Sequence, residues 1–275
     1  MKMLLVLGGA IGLMTSSALG VNPTIVVQNQ VLIPNRTGQS FNINVSGGTA
    51  VSGVNFNAEV AGGGTANGGT AGPTISGVDL VSGTIFGPNN SGQQSATPTP
   101  TQFYSGLVIT NSSGTVNAAG KLATVTIDTT GFIGGTYSFK LAGFSNGMFS
   151  GDSDFTVAPD YSSIPANITN GNLIVTFPGD ANMDGVVNSA DAIAMARNWN
   201  VQSGATWAMG DFNGDGKVTL SDAQLLQQYF NRSININPGV PAIVSAAAAA
   251  VPEPGMLGLI AVLAPMLAMR SRRSK

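Results

Sequence analysis

The sequence predicts a mainly β chain, in which an antiparallel β-sandwich is followed by a small α-helical module built on a duplicated loop. Three observations predict this architecture. Apolar and polar residues alternate with a period of two in several segments before residue 178. Stretches rich in Gly, Asn and Pro separate those segments. Two 14-residue segments, which begin at Gly179 and Gly210, repeat each other at a spacing of 31 residues.

The alternation is clearest in four segments of the first region. Their apolar members are Val54, Phe56, Ala58 and Val60; Ala123, Val125 and Ile127; Tyr137, Phe139 and Leu141; and Leu173, Val175 and Phe177. Because successive side chains of a strand point to opposite faces, such segments bury one face and leave the other in water. No segment before residue 180 has a helical period. We therefore expect an antiparallel sandwich over residues 21–178.

The repeated segments have the residue spacing of a calcium-binding loop. Eight of their 14 positions are identical. Calcium takes six to eight oxygen ligands, and a twelve-residue loop supplies them from positions 1, 3, 5, 7, 9 and 12, with Gly at position 6. Gly185 and Gly216 stand at position 6. The chain has neither Cys nor His, so a metal bound here would be a hard cation held by oxygen.

We expect two Ca²⁺ ions, one in each loop. Position 7 contributes its main-chain carbonyl, and position 9 can act through water. The predicted ligands are Asp180, Asn182, Asp184, Val186, Asn188 and Asp191 in the first loop, and Asp211, Asn213, Asp215, Lys217, Thr219 and Asp222 in the second. The alternative is a pair of Asp- and Asn-rich turns that bind no metal.

The residue at position 12 distinguishes these loops from the EF-hand, which has a bidentate Glu there. Asp191 and Asp222 are shorter by one methylene, so the following helix must approach the ion more closely. Together with the duplication and the short helices, this feature resembles type I dockerins. The resemblance covers Gly179 to about Arg232, and it includes Trp207 and the run from Gly210 to Gly216.

The dockerin resemblance implies docking on a cohesin-like domain of a partner. It also implies that recognition residues lie at loop positions 10 and 11, which are Ser189, Ala190, Leu220 and Ser221. The Ser-Thr pair typical of cellulosomal dockerins is absent, and the two halves differ. The partner therefore stays open, and another copy of this chain is one candidate.

Each loop runs into a predicted helix with an apolar stripe. The stripes contain Ala194, Met195 and Trp199 in the first helix, and Leu225, Leu226 and Phe230 in the second. We expect the stripes to pack the two helices together. The alternative is that part of one stripe contacts a protein partner.

The N-terminus has the pattern of a secretory signal peptide. Lys2 supplies a positive charge, an apolar stretch runs from Met3 to Met14, and small residues surround Gly20. We expect residues 1–20 to be removed by signal peptidase. A retained membrane anchor is the alternative, although twelve residues are too few to span a bilayer.

The C-terminus combines Pro252-Glu253-Pro254, an apolar run over residues 255–269 and a basic end over residues 270–275. This order resembles the PEP-CTERM sorting signal of Gram-negative bacteria and covers residues 251–275. It implies recognition by an exosortase and removal of the tail at the cell envelope; a simple tail anchor in the membrane is the alternative. Residues 233–250 read as a flexible linker.

Composition limits the function classes. Only 9% of the residues are charged and the formal net charge is −2, which argues against nucleic-acid binding. The absence of His removes the commonest general base. Catalysis in the sandwich would depend on its few acids, which are Glu59, Asp79, Asp128, Asp152, Asp154 and Asp160. We expect these acids to be solvated or to cap turns.

The sandwich resembles cohesin-like and carbohydrate-binding jelly rolls, on the segments 51–60, 120–127 and 135–141. Sugar binding usually needs exposed aromatic side chains, and the candidates are Phe103, Tyr104, Phe144, Phe149 and Tyr161. The whole chain is therefore expected to be a secreted, envelope-attached, non-catalytic assembly protein. The alternatives are a polysaccharide-binding or polysaccharide-degrading surface protein tethered by its dockerin, and a structural matrix or stalk protein.

Overall fold

The computed structural model describes residues 21–111, 114–144, 151–234 and 236. The predicted signal peptide, the sorting signal and most of the predicted linker lie outside these residues. Thirteen strands form in the first part of the chain. They are β1 (Thr24–Val26), β2 (Gln30–Leu32), β3 (Gln39–Ser46), β4 (Gly53–Val60), β5 (Thr74–Asp79), β6 (Gln93–Ser95), β7 (Phe103–Ile109), β8 (Gly120–Asp128), β9 (Gly135–Lys140), β10 (Asp154–Val157), β11 (Ser162–Pro165), β12 (Asn167–Thr169) and β13 (Gly171–Val175).

The strands form two sheets that make a β-sandwich. One sheet has the order β12-β1-β3-β8-β5, and the other has the order β11-β10-β4-β9-β13-β2. Strand β7 also pairs with β4, and β6 pairs with β7. Most pairs are antiparallel, as predicted, but β1 pairs with β12 and β13 pairs with β2 in parallel.

The sandwich core contains the residues that the period-two alternation predicted. Phe56 on β4 and Phe139 on β9 are fully buried, and burying an aromatic side chain of this size contributes about 1.5–3 kcal/mol. Phe177 is an exception, because β13 ends at Val175 and Phe177 packs instead against the core of the helical module. Its ring stacks on Tyr229 with the ring centroids 5.0 Å apart.

Two α-helices form the module that follows, α1 (Ser189–Arg197) and α2 (Leu220–Tyr229), with a 3₁₀ turn at Trp207–Met209. Met195 of α1 and Leu226 of α2 are each 1% exposed and belong to one hydrophobic cluster. Ala194, Trp199, Leu225 and Phe230 pack against the same cluster. This confirms that the apolar stripes pack the helices together. Over the described part of the chain, neither helix has the length and apolar character that a membrane crossing requires.

The two halves of the module are related by an internal symmetry in which each loop is closed by the segment after the other helix. Val187 of the first loop makes two main-chain hydrogen bonds with the segment after α2. The N–H of Val187 donates to the carbonyl of Arg232, and the N–H of Asn231 donates to the carbonyl of Val187. Val218 of the second loop exchanges the same bonds with Val201 and Asn200 after α1. We call residues 231–234 and 236 the closing segment.

The closing segment extends the module past Arg232. Ile234 donates its N–H to the carbonyl of Gly185 at 2.8 Å, and Ser233 forms an isolated antiparallel bridge with Val186. The hydroxyl of Thr136 on β9 donates a hydrogen bond of 2.7 Å to the carbonyl of Ile236. The first residues of the predicted linker therefore pair with the first loop, and they connect it to the sandwich.

Candidate metal centre

The first loop turns its acidic side chains inward through hydrogen bonds from its own backbone. Asp180 Oδ1 and Asn182 Oδ1 both accept from the N–H of Asp184, at 3.1 and 3.0 Å. Asp180 Oδ2 accepts from Gly185 at 3.0 Å, and Asp184 Oδ1 accepts from Val186 at 2.8 Å. Gly185 has a φ of 84°, a conformation that favours glycine. Positions 1, 3 and 5 thus converge on one small volume.

The second loop reproduces this geometry. Asp211 Oδ1 and Asn213 Oδ1 accept from the N–H of Asp215 at 3.1 and 2.9 Å. Asp211 Oδ2 accepts from Gly216 at 2.8 Å, and Asp215 Oδ1 accepts from Lys217 at 2.9 Å. Gly216 has a φ of 78°. Two sequences that differ at six of 14 positions therefore fold into the same loop.

The position-12 carboxylate joins the two ends of each loop. In the first loop, Asp191 Oδ1 accepts from Ala181 at 2.8 Å and from Asn182 at 3.2 Å, while Oδ2 accepts from Asn188 at 2.8 Å. In the second loop, Asp222 makes the corresponding bonds to Phe212, Asn213 and Thr219. The short Asp side chain thus holds the start of each helix against the start of its loop.

Position 9 forms the N-cap of each helix. Asn188 Oδ1 accepts from Ala190 at 2.7 Å, and Asn188 Nδ2 donates to the carbonyl of Val186 at 3.3 Å. Thr219 caps α2, and its hydroxyl donates to Asp222 Oδ2 at 3.2 Å. Both residues are therefore committed to capping hydrogen bonds, which hold the carboxylate of position 12 in place.

Burying the ionised carboxylates of the loops costs free energy when no cation is bound. Asp180, Asp191 and Asp222 are fully buried and Asp211 is 5% exposed. Their hydrogen-bond donors are neutral amide and hydroxyl groups. Burial raises the pKa of the Asp180 carboxyl, and repulsion from Asp191 raises it further, against hydrogen bonds from Thr176 and Gly185 that lower it. A bound cation would offset this negative charge.

Carboxylates alone do not complete either site. Among the residues described, no group of three or more Asp and Glu side chains is placed so that it could hold a metal ion. The loops also offer the amide oxygens of Asn182 and Asn213 and the main-chain carbonyls of Val186 and Lys217. This all-oxygen set of carboxylate, amide and carbonyl donors fits Ca²⁺ in its chemistry.

The predicted partner-binding residues lie on the surface. Ser189 and Ala190 begin α1 and are exposed, and Leu220 and Ser221 occupy the same positions at the start of α2. Leu220 is 65% exposed and Ile193 on α1 is 53% exposed, although both are apolar. The N-terminal turns of the two helices therefore present apolar and hydroxyl groups to solvent.

Five of the six acids of the sandwich accept hydrogen bonds from nearby groups. Asp79, Asp128 and Asp160 accept hydrogen bonds from backbone amides two residues ahead, as turn caps do. Asp152 accepts from the N–H of Gly143, and Asp154 accepts from Asn55 and Ser163. Glu59 is fully buried, and neither of its carboxylate oxygens has a hydrogen-bond partner among the described residues.

Two of the five aromatic candidates for sugar binding are buried. Phe103 and Tyr104 are 3% and 2% exposed, so neither offers a ring face to a sugar. Phe144 packs edge-on against Phe103 at 5.6 Å, and Tyr161 is 41% exposed. Phe149 lies outside the described residues.

Three contacts of the first loop were not predicted from the sequence. The hydroxyl of Thr176 donates to Asp180 Oδ2 at 2.5 Å, and the indole nitrogen of Trp207 donates to the carbonyl of Asp180 at 2.6 Å. The third contact is the closing segment. One feature of the sequence could have indicated the closing segment: Asn200 and Asn231 are also 31 residues apart, so the repeat continues beyond the helices.

The fold and the loops together define a two-module protein, in which a β-sandwich is joined to a duplicated loop–helix unit with oxygen donors for a cation. Residues 178–238 match the family model of the dockerin type I domain. This confirms the dockerin prediction for the C-terminal module. Type I dockerin domains generally bind calcium and are non-catalytic assembly modules, so the match supports an assembly role for this chain.

The sandwich is similar to solved cohesin structures. A non-cellulosomal cohesin from Archaeoglobus fulgidus is 13% identical with a TM-score of 0.41, and the match covers 59% of this chain and 96% of that one. The cohesin CaCohA2 from Clostridium acetobutylicum is 15% identical with a TM-score of 0.38, covering 56% and 92%. At these values the likeness supports no statement about what the sandwich binds. None of the curated proteins matches the chain.

Proposed function

We propose that this chain is a secreted, non-catalytic assembly protein that binds one Ca²⁺ in each loop and then docks through its dockerin module on a cohesin-like domain of a partner. The observation that carries the calcium proposal is the repeated geometry of the loops. In both, buried carboxylates and one amide oxygen converge, and backbone N–H groups fix their orientation.

The proposed ligands in the first loop are the side chains of Asp180, Asn182, Asp184 and Asp191, with the carbonyl of Val186. The second loop would use the equivalent side chains and the carbonyl of Lys217. Calcium would supply the positive charge that the buried carboxylates lack. Because the unfolded chain has no such site, the free energy of binding would add to the stability of the folded module.

The proposed docking surface is the exposed N-terminal turn of each helix. Leu220 and Ile193 are exposed although they are apolar. In the apolar stripes, Met195 and Leu226 are buried and the other members are partly buried. The last three positions of each calcium loop are the first three residues of its helix, so ion binding would hold Ser189, Ala190 and Ser221 in position. The partner is a cohesin-like domain, and a second copy of this chain is the alternative source of one.

Export and envelope attachment form part of the proposal and depend on the two terminal sequence patterns. Signal peptidase would remove residues 1–20, and an exosortase would recognise Pro252-Glu253-Pro254 and release the tail. A secreted chain without Cys has no disulfide to stabilise a small module. Two calcium ions would take that role.

A polar cleft on the outer face of the second sheet favours sugar binding as a second candidate function. The cleft has a volume of about 430 Å³. Its lining includes the side chains of Asn55, Asn57, Gln94, Ser105 and Asp152. Amide and carboxylate groups of this kind can hydrogen-bond sugar hydroxyls. A glycan array probed with the full chain tests this function, and an array without signal would count against it.

Calorimetric titration of the full chain with Ca²⁺ tests the main proposal. We expect two bound ions, and one ion after either Asp184→Ala or Asp215→Ala, because both side chains are exposed and their loss should leave the fold intact. Both Trp residues lie in the dockerin module, so tryptophan fluorescence reports its unfolding separately from the sandwich. A chain that takes up no calcium, and whose fluorescence melting curve EGTA leaves unchanged, would refute calcium binding.

Sedimentation velocity of the full chain with and without Ca²⁺ tests docking between copies. Calcium-dependent association that Leu220→Asp abolishes would support it. A monomer under both conditions would assign docking to a different cohesin-like chain, which a panel of purified cohesin domains would then identify. Failure of every cohesin to bind the calcium-loaded chain would contradict the docking proposal.

A further inference from the structure

The sandwich and the first loop are joined without a linker. Strand β13 ends at Val175, and the first proposed ligand is Asp180, five residues later. Thr176 lies at this junction and is fully buried. Its N–H donates to the carbonyl of Leu32, the last residue of β2, at 3.0 Å, and its hydroxyl donates to Asp180 Oδ2 at 2.5 Å. One residue thus bonds to both modules.

The hydroxyl of Thr176 determines which oxygen of the Asp180 carboxylate is free to bind a cation. Each carboxylate oxygen can accept two hydrogen bonds. Oδ2 accepts from Thr176 and from Gly185, which uses both of its positions. Among the described residues, Asp184 is the one donor to Oδ1, which keeps one lone pair. Thr176 therefore leaves Oδ1 as the oxygen that can bind a cation.

The second loop has no equivalent of this contact. Asp211 Oδ2 accepts from Gly216, and no other residue that the structure describes donates to it. The residue four positions before Asp211 is Trp207, and its indole nitrogen bonds to the carbonyl of Asp180 in the first loop. Both of these additional contacts reach the first loop, and the contact from Thr176 comes from the residue that follows β13 of the sandwich.

A second connection links the first loop to the sandwich from the other side. The closing segment pairs with positions 6 and 8 of the first loop, through Gly185 and Val187. The hydroxyl of Thr136 on β9 bonds to the carbonyl of Ile236 in that segment. The main chain around position 7, whose carbonyl is a proposed ligand, is thus held between the dockerin module and the sandwich.

We propose that Thr176 is a positioning residue for the calcium site of the first loop, and that through it calcium binding and the stability of the sandwich strengthen each other, while the second loop binds calcium independently of the sandwich. This inference rests on the proposed calcium binding. The coupling is reciprocal, because a sandwich contact that favours the calcium-bound loop must itself be favoured by calcium.

Titration calorimetry of single-site chains tests the positioning role. Asp215→Ala removes the second site, so the titration measures the first loop. Asp184→Ala removes the first site, so the titration measures the second loop. In the Asp215→Ala chain we expect Thr176→Val to weaken calcium binding by about 10–100-fold, the usual effect of losing an outer-shell partner of a metal ligand. Thr176→Ser keeps the hydroxyl and should restore the affinity. In the Asp184→Ala chain, Thr176→Val should leave the calcium affinity of the second loop unchanged.

Thr110→Val is the matched control. Thr110 is 2% exposed in the sandwich, and its hydroxyl donates to the carbonyls of Ser52 and Gly114, neither of which belongs to a loop of the dockerin module. This variant should lower the stability of the sandwich equally with and without calcium. It should leave both calcium affinities unchanged, which separates a positioning effect from general destabilisation.

Hydrogen exchange of the full chain tests the coupling without altering Thr176. In the Asp215→Ala chain, calcium should slow amide exchange in β2, β9 and β13. In the Asp184→Ala chain, it should not. Equal protection of the sandwich through either loop, or an unchanged affinity in the Thr176→Val, Asp215→Ala chain, would overturn the inference. A wild-type chain that binds no calcium would instead overturn the proposed function.

Discussion

The indole nitrogen of Trp207 donates a hydrogen bond of 2.6 Å to the main-chain carbonyl of Asp180. Trp207 belongs to the 3₁₀ turn before the second loop, whereas Asp180 opens the first. The same ring packs edge-on against Phe212, with centroids 5.4 Å apart. One side chain thus connects the first position of the first loop to the second position of the second loop.

Replacing Trp207 by Phe should separate the contribution of the hydrogen bond to Asp180 from that of the ring packing against Phe212. Phe keeps an aromatic ring beside Phe212 but cannot donate to the carbonyl of Asp180. We expect the module to lose about 1 kcal/mol of stability, the net value of a typical hydrogen bond. Chemical denaturation followed by the fluorescence of Trp199 measures this loss. A loss no larger than the experimental error would show that the hydrogen bond contributes nothing net.

The Asp191→Ala substitution should remove a structural and a metal-binding contribution together. The side chain accepts from the N–H groups of Ala181, Asn182 and Asn188. Hydrogen bonds to a charged group contribute about 1.5–3 kcal/mol each. In calcium, we expect the melting temperature of the module to fall by more than it does for Asp184→Ala, since Asp184 is exposed. Equal falls would mean that Asp191 acts only as a ligand.

Glu59 should make the sandwich less stable at neutral pH than at acidic pH. Burial raises the pKa of this carboxyl above its ordinary value of 4.5, and the charge of Lys140 only partly opposes the shift. When folding raises the pKa of an acid, its ionisation does not destabilise the fold at a pH below the unfolded pKa. Stability is lost as the pH rises through the folded pKa, because the carboxylate is then ionised in the folded state. Calorimetric melting of the sandwich across this range measures the loss.

Glu59→Gln removes the charge and should abolish this pH dependence. Glu59→Met removes the buried unpaired polar group as well, and we expect it to raise the stability of the sandwich by about 1–3 kcal/mol at neutral pH. Asp152→Asn serves as the control, because Asp152 is exposed. A Glu59→Gln sandwich with the wild-type pH profile would show that another group is responsible.

Thr136→Val should loosen the closing segment. The hydroxyl of Thr136 is its hydrogen-bond partner on β9, through the carbonyl of Ile236. We expect faster hydrogen exchange at Val187 and Ile234, whose amides bond between the segment and the first loop. Exchange at Val218, the equivalent residue of the second loop, should stay at its wild-type rate. Acceleration in both loops alike would indicate loss of the whole module instead.

The sequence predicts the sandwich core and the loops well, because both depend on local patterns. Alternation along Val54 to Val60 specifies which side chains face the core, whatever strand lies beside them. The position of Asp180, Asp184 and Gly185 in one twelve-residue loop likewise follows from its own backbone. Phe177 is the exception, since it continues the alternation of β13 but packs against Tyr229 in the other module.

The contacts between distant segments are the part that the sequence does not show. The parallel pairs of β1 with β12 and of β13 with β2 join strands of only three to five residues, and alternation along a strand does not show which strand lies beside it. Thr176 lies before the repeat, so no internal comparison marks its hydroxyl. Glu59 has the sequence position of a solvent-facing strand residue, and only the structure shows it to be buried.

The exchanged closing of the two loops sets an order for assembly on a growing chain. The second loop pairs with residues 200–205, which have already been made when the loop itself appears. The first loop pairs with residues 231–234, which follow their partners Gly185 and Val187 by 44 to 49 positions. The loop that comes first in the sequence is therefore the last to be completed. Its pairing with these residues becomes available only when synthesis has passed the end of the second helix, so a chain released early would lack this pairing.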